Sequence, residues 1–87
     1  MKIRIEPHTL LRANERGATE VEIKDTLEHG LDLIGKNGRV GKSKVFGFRN
    51  HRNGKFYEEK KVEVFYITEM ETIITVTVYV FYGNFKV

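Results

Sequence analysis

The last third of the chain contains two long stretches in which apolar residues alternate with more polar ones, and this pattern constrains the fold more than any other feature. The stretches cover residues 60–67 and 73–82 and are separated by a turn near residues 69–71. Alternation with a period of two residues is typical of β-strands that bury one face. Two such strands joined by a short turn form an antiparallel hairpin, so the sequence predicts a sheet with two unlike faces.

The register of this hairpin follows if the apolar faces of its strands lie on the same side. The apolar face consists of Val62, Val64 and Tyr66 in the first strand and of Ile74, Val76, Val78 and Val80 in the second. A three-residue turn at 69–71 keeps these residues together. That turn would place Lys61 opposite Tyr79 and Glu63 opposite Thr77 on the other face. We therefore expect a core face under the helices and a half-polar face that is free to bind a partner.

Two short helices are predicted before the sheet. The first begins at Pro7, which suits the first helical position, and ends at about Arg16 before Gly17. The second begins with a capping box at residues 19–22 and ends at Gly30. Its core side is expected to consist of Val21, Ile23 and Leu27.

Shorter strands complete the predicted fold. Residues 44–49 and 55–58 flank an Asn53-Gly54 turn, and residues 2–5 are a candidate first strand. Residues 35–43 contain three Gly and several Lys and Arg residues and are expected to form a mobile basic loop. A chain of 87 residues buries one core. We therefore predict a single α+β domain, 1–87, with two N-terminal helices on one face of a four-stranded or five-stranded antiparallel sheet.

The charges are distributed unevenly along the chain. The net charge is +3, but residues 35–61 contain nine Lys and Arg against two Glu, a net +7, whereas residues 19–34 carry a net −4. A basic segment of this kind is a candidate phosphate-binding surface, which points to RNA as a partner. Lysines on exposed sheet edges, which discourage aggregation, explain the same pattern. A helix-turn-helix DNA reader is disfavoured because its recognition helix would be acidic.

The composition excludes several other classes of site. The chain has no Cys, and its three His residues lack the spacing of metal ligands, so no metal site, disulfide or cofactor is expected. The N-terminus does not resemble a secretory signal, and residues 73–82 are too few to cross a bilayer as a helix. We expect a cytoplasmic protein with no membrane partner.

One face of the first helix carries a possible catalytic group. His8, Arg12, Glu15 and Arg16 are spaced as i, i+4, i+7 and i+8 and therefore share a helix face. A His can transfer a proton near neutral pH, and Arg can stabilise the charge of a phosphodiester transition state. RNA supplies its own 2′-OH nucleophile, so cleavage needs no metal. The same spacing is also typical of an exposed charged helix face on which Glu15 pairs with Arg12.

The order of short motifs along the chain resembles that of the DUF4258 family. The motifs are Pro7-His8-x3-Arg12-x3-Arg16-Gly17, Lys44-Val45-Phe46, the Asn53-Gly54 turn, Tyr57-x-x-Lys60-Lys61-Val62-Glu63-Val64 and Thr77-Val78-Tyr79-Val80-Phe81-Tyr82-Gly83. The resemblance implies a compact fold of the RelE-like and barnase-like (BECR) ribonuclease group, which includes toxins of toxin–antitoxin pairs. It also implies a metal-independent ribonuclease site between the first helix and the sheet.

The resulting hypothesis is a toxin-type endoribonuclease that leaves a 2′,3′-cyclic phosphate and has a cognate antitoxin as a partner. The catalytic residues of this hypothesis are His8 as general base or acid, Arg12 and Lys61 as charge stabilisers, and Thr77 and Tyr79 as oxygen-binding groups. Its RNA-binding residues are Arg16, Lys44, Arg49, Arg52 and the base-stacking Tyr57. Two alternatives are a non-catalytic RNA- or protein-binding module of the same fold and a structural phage or mobile-element protein.

Overall fold

Two helices and a five-stranded sheet make up residues 2–85, the part of the chain that the computed structural model describes. The elements in chain order are β1 (Lys2–Arg4), α1 (Pro7–Arg16), α2 (Glu20–His29), β2 (Leu31–Ile34), a 3₁₀ turn (Lys36–Gly38), β3 (Val40–Arg52), β4 (Lys55–Glu69) and β5 (Thr72–Gly83). The predicted α+β class, with both helices preceding the main strands, is confirmed.

The sheet is mixed rather than wholly antiparallel. The strand order is β1-β5-β4-β3-β2, and four of the five strands form an antiparallel meander. β1 instead lies parallel to β5 and pairs with the first residues of that strand, Thr72 to Ile74. No hairpin turn joins β1 to β5, because most of the chain intervenes, so a tight turn does not fix the direction of β1. The expectation of an all-antiparallel sheet is therefore wrong at this one strand.

The two long hairpins both close with two-residue turns. Arg52 pairs with Lys55 across the predicted Asn53-Gly54 turn, whose residues both have positive φ. Glu69 pairs with Thr72, so the β4–β5 turn contains only two residues, at 70 and 71, and both again have positive φ. Such turns match the twist of the strands that they join. The predicted three-residue turn at 69–71 is wrong.

The shorter turn changes the register of β4 and β5. With a two-residue turn and no bulge, the apolar face of β4 would lie on the same side as the polar face of β5. A β-bulge adds one unpaired residue, Val76, and beyond it the two apolar faces lie on the same side. As a result Lys61 lies opposite Phe81 and Glu63 lies opposite Tyr79. The predicted pairings of Lys61 with Tyr79 and of Glu63 with Thr77 are each displaced by two residues, although the division of β4 into two faces is retained.

The bulge also decides which residues of β5 reach the core. Before it, Ile73 and Thr75 face the helices, and beyond it Val78 and Val80 do so. Buried Thr75 accepts a hydrogen bond from the backbone N–H of Glu6 at 3.1 Å, which satisfies its hydroxyl. The prediction that Ile74 lies on the core face of the hairpin is therefore wrong.

The helices begin and end where the sequence predicts. Pro7 is the first residue of α1, and Gly17 ends that helix in the left-handed conformation, with φ of 95°. In α2, the Thr19 side chain accepts from the N–H of Glu22, whose carboxylate accepts from the N–H of Thr19. This reciprocal pair is the predicted capping box.

The core lies between the helices and one face of the sheet. The buried residues at its centre are Ala13, Ala18, Ile23 and Leu27 from the helices and their surroundings, and Val62, Val64, Ile73 and Val78 from the sheet. Val21, which was expected to join them, is exposed. It lies two residues before Ile23 and therefore points about 200° away around the helix.

Candidate nucleic-acid interface

The face of the sheet opposite the helices combines exposed aromatic rings with cations. We call it the open face. Its residues on β4 and β5 are Lys61, Glu63, Phe65, Thr77, Tyr79 and Phe81. They alternate along the strands with the buried Val62, Val64 and Val78, so they point away from the core.

A cleft of about 470 Å³ lies on this face, and we call it the open-face cleft. One wall comes from the loop between β2 and β3, and the floor comes from β4 and β5. The lining residues are Gly35, Lys36, Asn37 and Arg39 from the loop and Glu63, Phe65, Tyr79 and Phe81 from the strands. The cleft therefore combines basic, aromatic and acidic side chains in one open depression.

Two glycines hold the basic loop against the floor of the cleft. A Cβ at Gly35 would lie 2.7 Å from the Phe65 ring, and one at Gly41 would lie 2.9 Å from it. Only glycine permits this close approach of backbone to ring. The N–H of Gly35 also donates to the carbonyl of Arg39 at 2.7 Å, which closes the hairpin. The segment 35–43 is thus a turn and the start of β3, where the sequence predicted one basic loop.

The aromatic rings of the cleft form a partly exposed platform. The ring centroids of Phe65 and Tyr79 are 6.0 Å apart, and those of Tyr79 and Phe81 are 6.5 Å apart. Phe65 is buried beneath the loop, whereas Tyr79 and Phe81 are 39% and 46% exposed. Exposed rings on a sheet can stack on unpaired bases.

Two of the cations that line the cleft have no ion partner among the described residues. Within residues 2–85, Lys36 and Arg39 form no ion pair and no side-chain hydrogen bond, and both are exposed. Lys61 lies 3.7 Å from Glu63, beyond hydrogen-bond range, and over the rings of Phe81 and Phe85. Lys36 and Arg39 are therefore accessible to an anionic partner, whereas Lys61 is within ion-pair distance of Glu63.

Arg16 brings α1 into contact with the open face. Its Nη1 donates to the carbonyl of Val78 at 2.6 Å, and its guanidinium carbon lies 5.5 Å from the centre of the Tyr79 ring. Because β1 pairs only with the beginning of β5, the later part of that edge is open to this side chain. Arg16 therefore reaches from the helix side of the sheet to Tyr79 on the other side.

His8 and Arg12, the other predicted site residues of α1, do not join the residues of the open face. His8 and Arg12 are exposed, and Arg12 lies 3.9 Å from Glu15 as an i, i+3 pair. In the described part of the chain no hydrogen bond, ion pair or cation–π contact joins His8 or Arg12 to Lys61, Thr77 or Tyr79. The predicted catalytic set is thus divided, with three members on the open face and two on the outer side of α1.

The remaining predicted RNA-binding residues are engaged elsewhere. Lys44 donates to Asp25 of α2 at 2.7 Å, Arg49 lies 3.6 Å from Glu58, and Arg52 donates to the carbonyl of Glu15 at 2.8 Å. None of these cations lines the open-face cleft.

The ring of Tyr57 lies 5.6 Å from the ring of Tyr82 and likewise outside the open-face cleft.

The acidic helix α2 binds two of the lysines of the basic segment. Besides Asp25, its Glu22 accepts a hydrogen bond from the buried Lys60 at 2.8 Å. Five of the nine Lys and Arg in residues 35–61 therefore lie within ion-pair distance of a carboxylate, and two of the other four, Lys36 and Arg39, line the open-face cleft.

Tyr82 links strand β5 to the end of α1. Its hydroxyl donates to the carbonyl of Arg16 at 2.6 Å, and the Arg52 guanidinium lies 5.0 Å from the ring centre. Burial raises the pKa of Tyr82 above its usual value, and the nearby Arg52 charge opposes that shift. On β3, a hydrogen bond to Asp32 of the edge strand β2 raises the pKa of Lys42.

The predictions missed Lys36 and Arg39 as part of a site, since strand β2 was not foreseen and the loop had no fixed position.

Within residues 2–85 no three His, Cys, Asp or Glu side chains are grouped in a way that could hold a metal ion. No described helix has the length and apolar character needed to cross a membrane. No family model, curated protein or solved structure matches the chain. Membership of the DUF4258 family therefore stays a prediction from the motifs.

Proposed function

We propose that this protein binds single-stranded RNA in the open-face cleft. The supporting observation is that the exposed rings of Tyr79 and Phe81 share one cleft with Lys36 and Arg39, which have no ion partner in residues 2–85. Aromatic rings stack on unpaired bases, and Lys and Arg bind the phosphates that connect them. A duplex fits this combination poorly because its bases are already stacked on one another.

Arg16 is the third phosphate-binding group in this proposal. One of its nitrogens is bound to the Val78 carbonyl, and the remaining N–H groups of the guanidinium stay available beside Tyr79. A nucleotide stacked on Tyr79 would carry its phosphate toward this edge of the sheet. The protein would meet its RNA in the cytoplasm.

The binding test uses fluorescence anisotropy with a labelled single-stranded oligoribonucleotide, the same DNA sequence and an RNA duplex. We expect the single-stranded RNA to bind best, with an affinity that falls as salt rises from about 50 mM to about 200 mM. The double variant Lys36→Gln/Arg39→Gln should bind more weakly and show a flatter salt dependence. The control Lys24→Gln/Lys55→Gln removes the same charge away from the cleft and should bind as the unaltered protein does. Equal weakening by both double variants would contradict the proposal.

Cleavage of the bound RNA, as in a toxin-type endoribonuclease, stays a prediction. Lys61, Thr77 and Tyr79 border the proposed RNA site, whereas His8 and Arg12 lie on the exposed side of α1. Incubation with RNA in EDTA, followed by analysis for 2′,3′-cyclic phosphate ends, tests the reaction. Loss of cleavage in the His8→Ala and Arg12→Ala proteins would support the original assignment, and cleavage that survives in both would remove it.

An antitoxin partner is a consequence of the same prediction. If the protein cleaves RNA, its expression should arrest growth, and His8→Ala should relieve the arrest. Binding without cleavage and without growth arrest would favour the non-catalytic module.

A further inference from the structure

Glu63 is an acidic residue at the centre of a site that we propose to bind a polyanion. It lines the open-face cleft, and its side chain is only 17% exposed. Tyr79 lies directly opposite it on β5, and Ser43 lies opposite it on β3. The carboxylate would repel a phosphate, so the floor of the cleft is unsuited to the RNA backbone. The phosphates are better placed at the rim, beside Lys36, Arg39 and Arg16.

The Glu63 carboxylate also lacks hydrogen-bond donors. Its nearest cation is Lys61, at 3.7 Å, and no group in residues 2–85 donates a hydrogen bond to it. No described side-chain oxygen is buried without a partner, so water reaches the Glu63 carboxylate, and a ligand that displaced this water would have to supply N–H groups in its place. The donors must come from a flat group, because the neighbouring walls are the rings of Phe65, Tyr79 and Phe81.

A nucleobase stacked on Tyr79 or Phe81 would turn one edge toward the floor of the cleft, because side chains on a strand stand roughly perpendicular to the sheet. The residues opposite one another on neighbouring strands have Cβ atoms about 4.5–5.5 Å apart, so a base on Tyr79 lies within reach of the Glu63 side chain. The edge of that base, rather than its sugar or phosphate, would then meet the carboxylate.

The four RNA bases differ in what they offer at this edge. Guanine presents two adjacent donors, N1–H and the N2 amino group, which match the two oxygens of a carboxylate. Adenine and cytosine present one amino group next to a ring nitrogen that accepts, and uracil presents one N–H between two carbonyls. We infer that Glu63 selects an unpaired guanine in the open-face cleft. This inference rests on the proposed binding of single-stranded RNA.

The test compares oligouridylates that carry a central guanosine, adenosine, cytidine or uridine, measured by fluorescence anisotropy. We expect the guanosine oligomer to bind about tenfold more tightly than the others. Inosine, which lacks the N2 amino group, should lose most of that preference. Glu63→Gln should reduce the guanosine preference to about twofold or less, because the amide offers one acceptor oxygen instead of two. The control Glu58→Gln removes an exposed carboxylate outside the cleft and should leave the preference unchanged.

The outcomes separate the two proposals. Binding of all four oligomers with equal affinity would overturn the role of Glu63 and leave RNA binding in place. Binding of none of them would overturn both. An unchanged guanosine preference in Glu63→Gln would show that another residue selects guanine. The inosine comparison uses the unaltered protein, so it remains valid even if Glu63→Gln does not fold.

Discussion

Lys60 and Lys61 are neighbours in the sequence but lie on opposite faces of β4, and they differ in burial and in hydrogen bonding. Lys60 is buried, donates to the carbonyl of Gly17 at 2.7 Å and to Glu22 at 2.8 Å, and so connects the sheet to both helices. Lys61 is one-third exposed, lies over two aromatic rings and forms no hydrogen bond within residues 2–85. The same side chain is therefore structural on the helix side and available for binding on the open face.

A similar contrast separates Lys44, on the helix side, from Lys36 and Arg39 at the open-face cleft. On the helix side, Lys44 and Lys60 are paired with carboxylates of α2. At the open-face cleft, Lys36 and Arg39 have no such partners in the described residues. The net charge of a sequence segment therefore does not locate a binding surface, because the fold determines which of its charges form internal ion pairs.

The largest expected effect is on folding, and it separates the two lysines. Lys60→Met should lower the free energy of unfolding by about 3 kcal/mol, because it leaves the Glu22 carboxylate without its buried partner. Lys61→Met should change that free energy by less than about 0.5 kcal/mol. Urea unfolding followed by circular dichroism measures both. Equal losses would show that the two faces do not differ in the way described.

The next effect is on RNA affinity and separates two tyrosines. Tyr79→Ala should weaken binding by about 1–3 kcal/mol, the usual contribution of one stacked base. Tyr57→Ala should leave the affinity nearly unchanged, since its ring lies near Tyr82 and outside the open-face cleft. Titration of both variants with the same labelled oligoribonucleotide makes the comparison. A greater loss in Tyr57→Ala would move the RNA site toward the position originally predicted.

A smaller effect concerns Tyr82, on the helix side. Tyr82→Phe should cost about 1 kcal/mol of stability at neutral pH by removing the hydrogen bond to Arg16. Because the pKa of Tyr82 is raised in the folded protein, the Tyr82 hydroxyl ionises first in the unfolded chain, near pH 10.0. The stabilisation is therefore complete below that pH and declines as the pH rises through the folded pKa.

The difference between the unaltered protein and Tyr82→Phe measures this group alone, because the other Tyr and Lys residues titrate in both. Urea unfolding at neutral pH and above pH 10 should show that the difference becomes smaller at the higher pH. A difference that grows with pH would contradict the assigned direction of the shift.

The elements that the sequence predicted best are those controlled by local signals. The capping box of α2, the ends of α1 at Pro7 and Gly17, and the Asn53-Gly54 turn depend on residues a few positions apart. The β4–β5 register was not predictable in this way. It depends on a two-residue turn at 70–71, which contains no Gly or Asn, combined with a bulge at Val76 that the pattern does not mark.

The candidate site was predicted only in part, for a similar reason. Alternation placed Lys61 and Tyr79 on the face opposite the core, which required only the period of a strand. The position of Lys36 and Arg39 depends on the packing of Gly35 and Gly41 against Phe65, a contact between distant parts of the chain. Helix spacing predicted a shared face for His8, Arg12 and Arg16, but of these three only Arg16, at the end of the helix, contacts the open face.

The smallest expected effect is that of His8→Ala. His8 is exposed and has no hydrogen bond or ion pair in residues 2–85, so its removal should change the free energy of unfolding by less than about 0.5 kcal/mol. Arg16→Ala, two turns later on the same helix, should weaken RNA binding because it removes the guanidinium beside Tyr79. If His8→Ala weakens RNA binding as much as Arg16→Ala does, the bound RNA must extend along α1, and the binding surface must continue around the sheet edge from the open face to the helix.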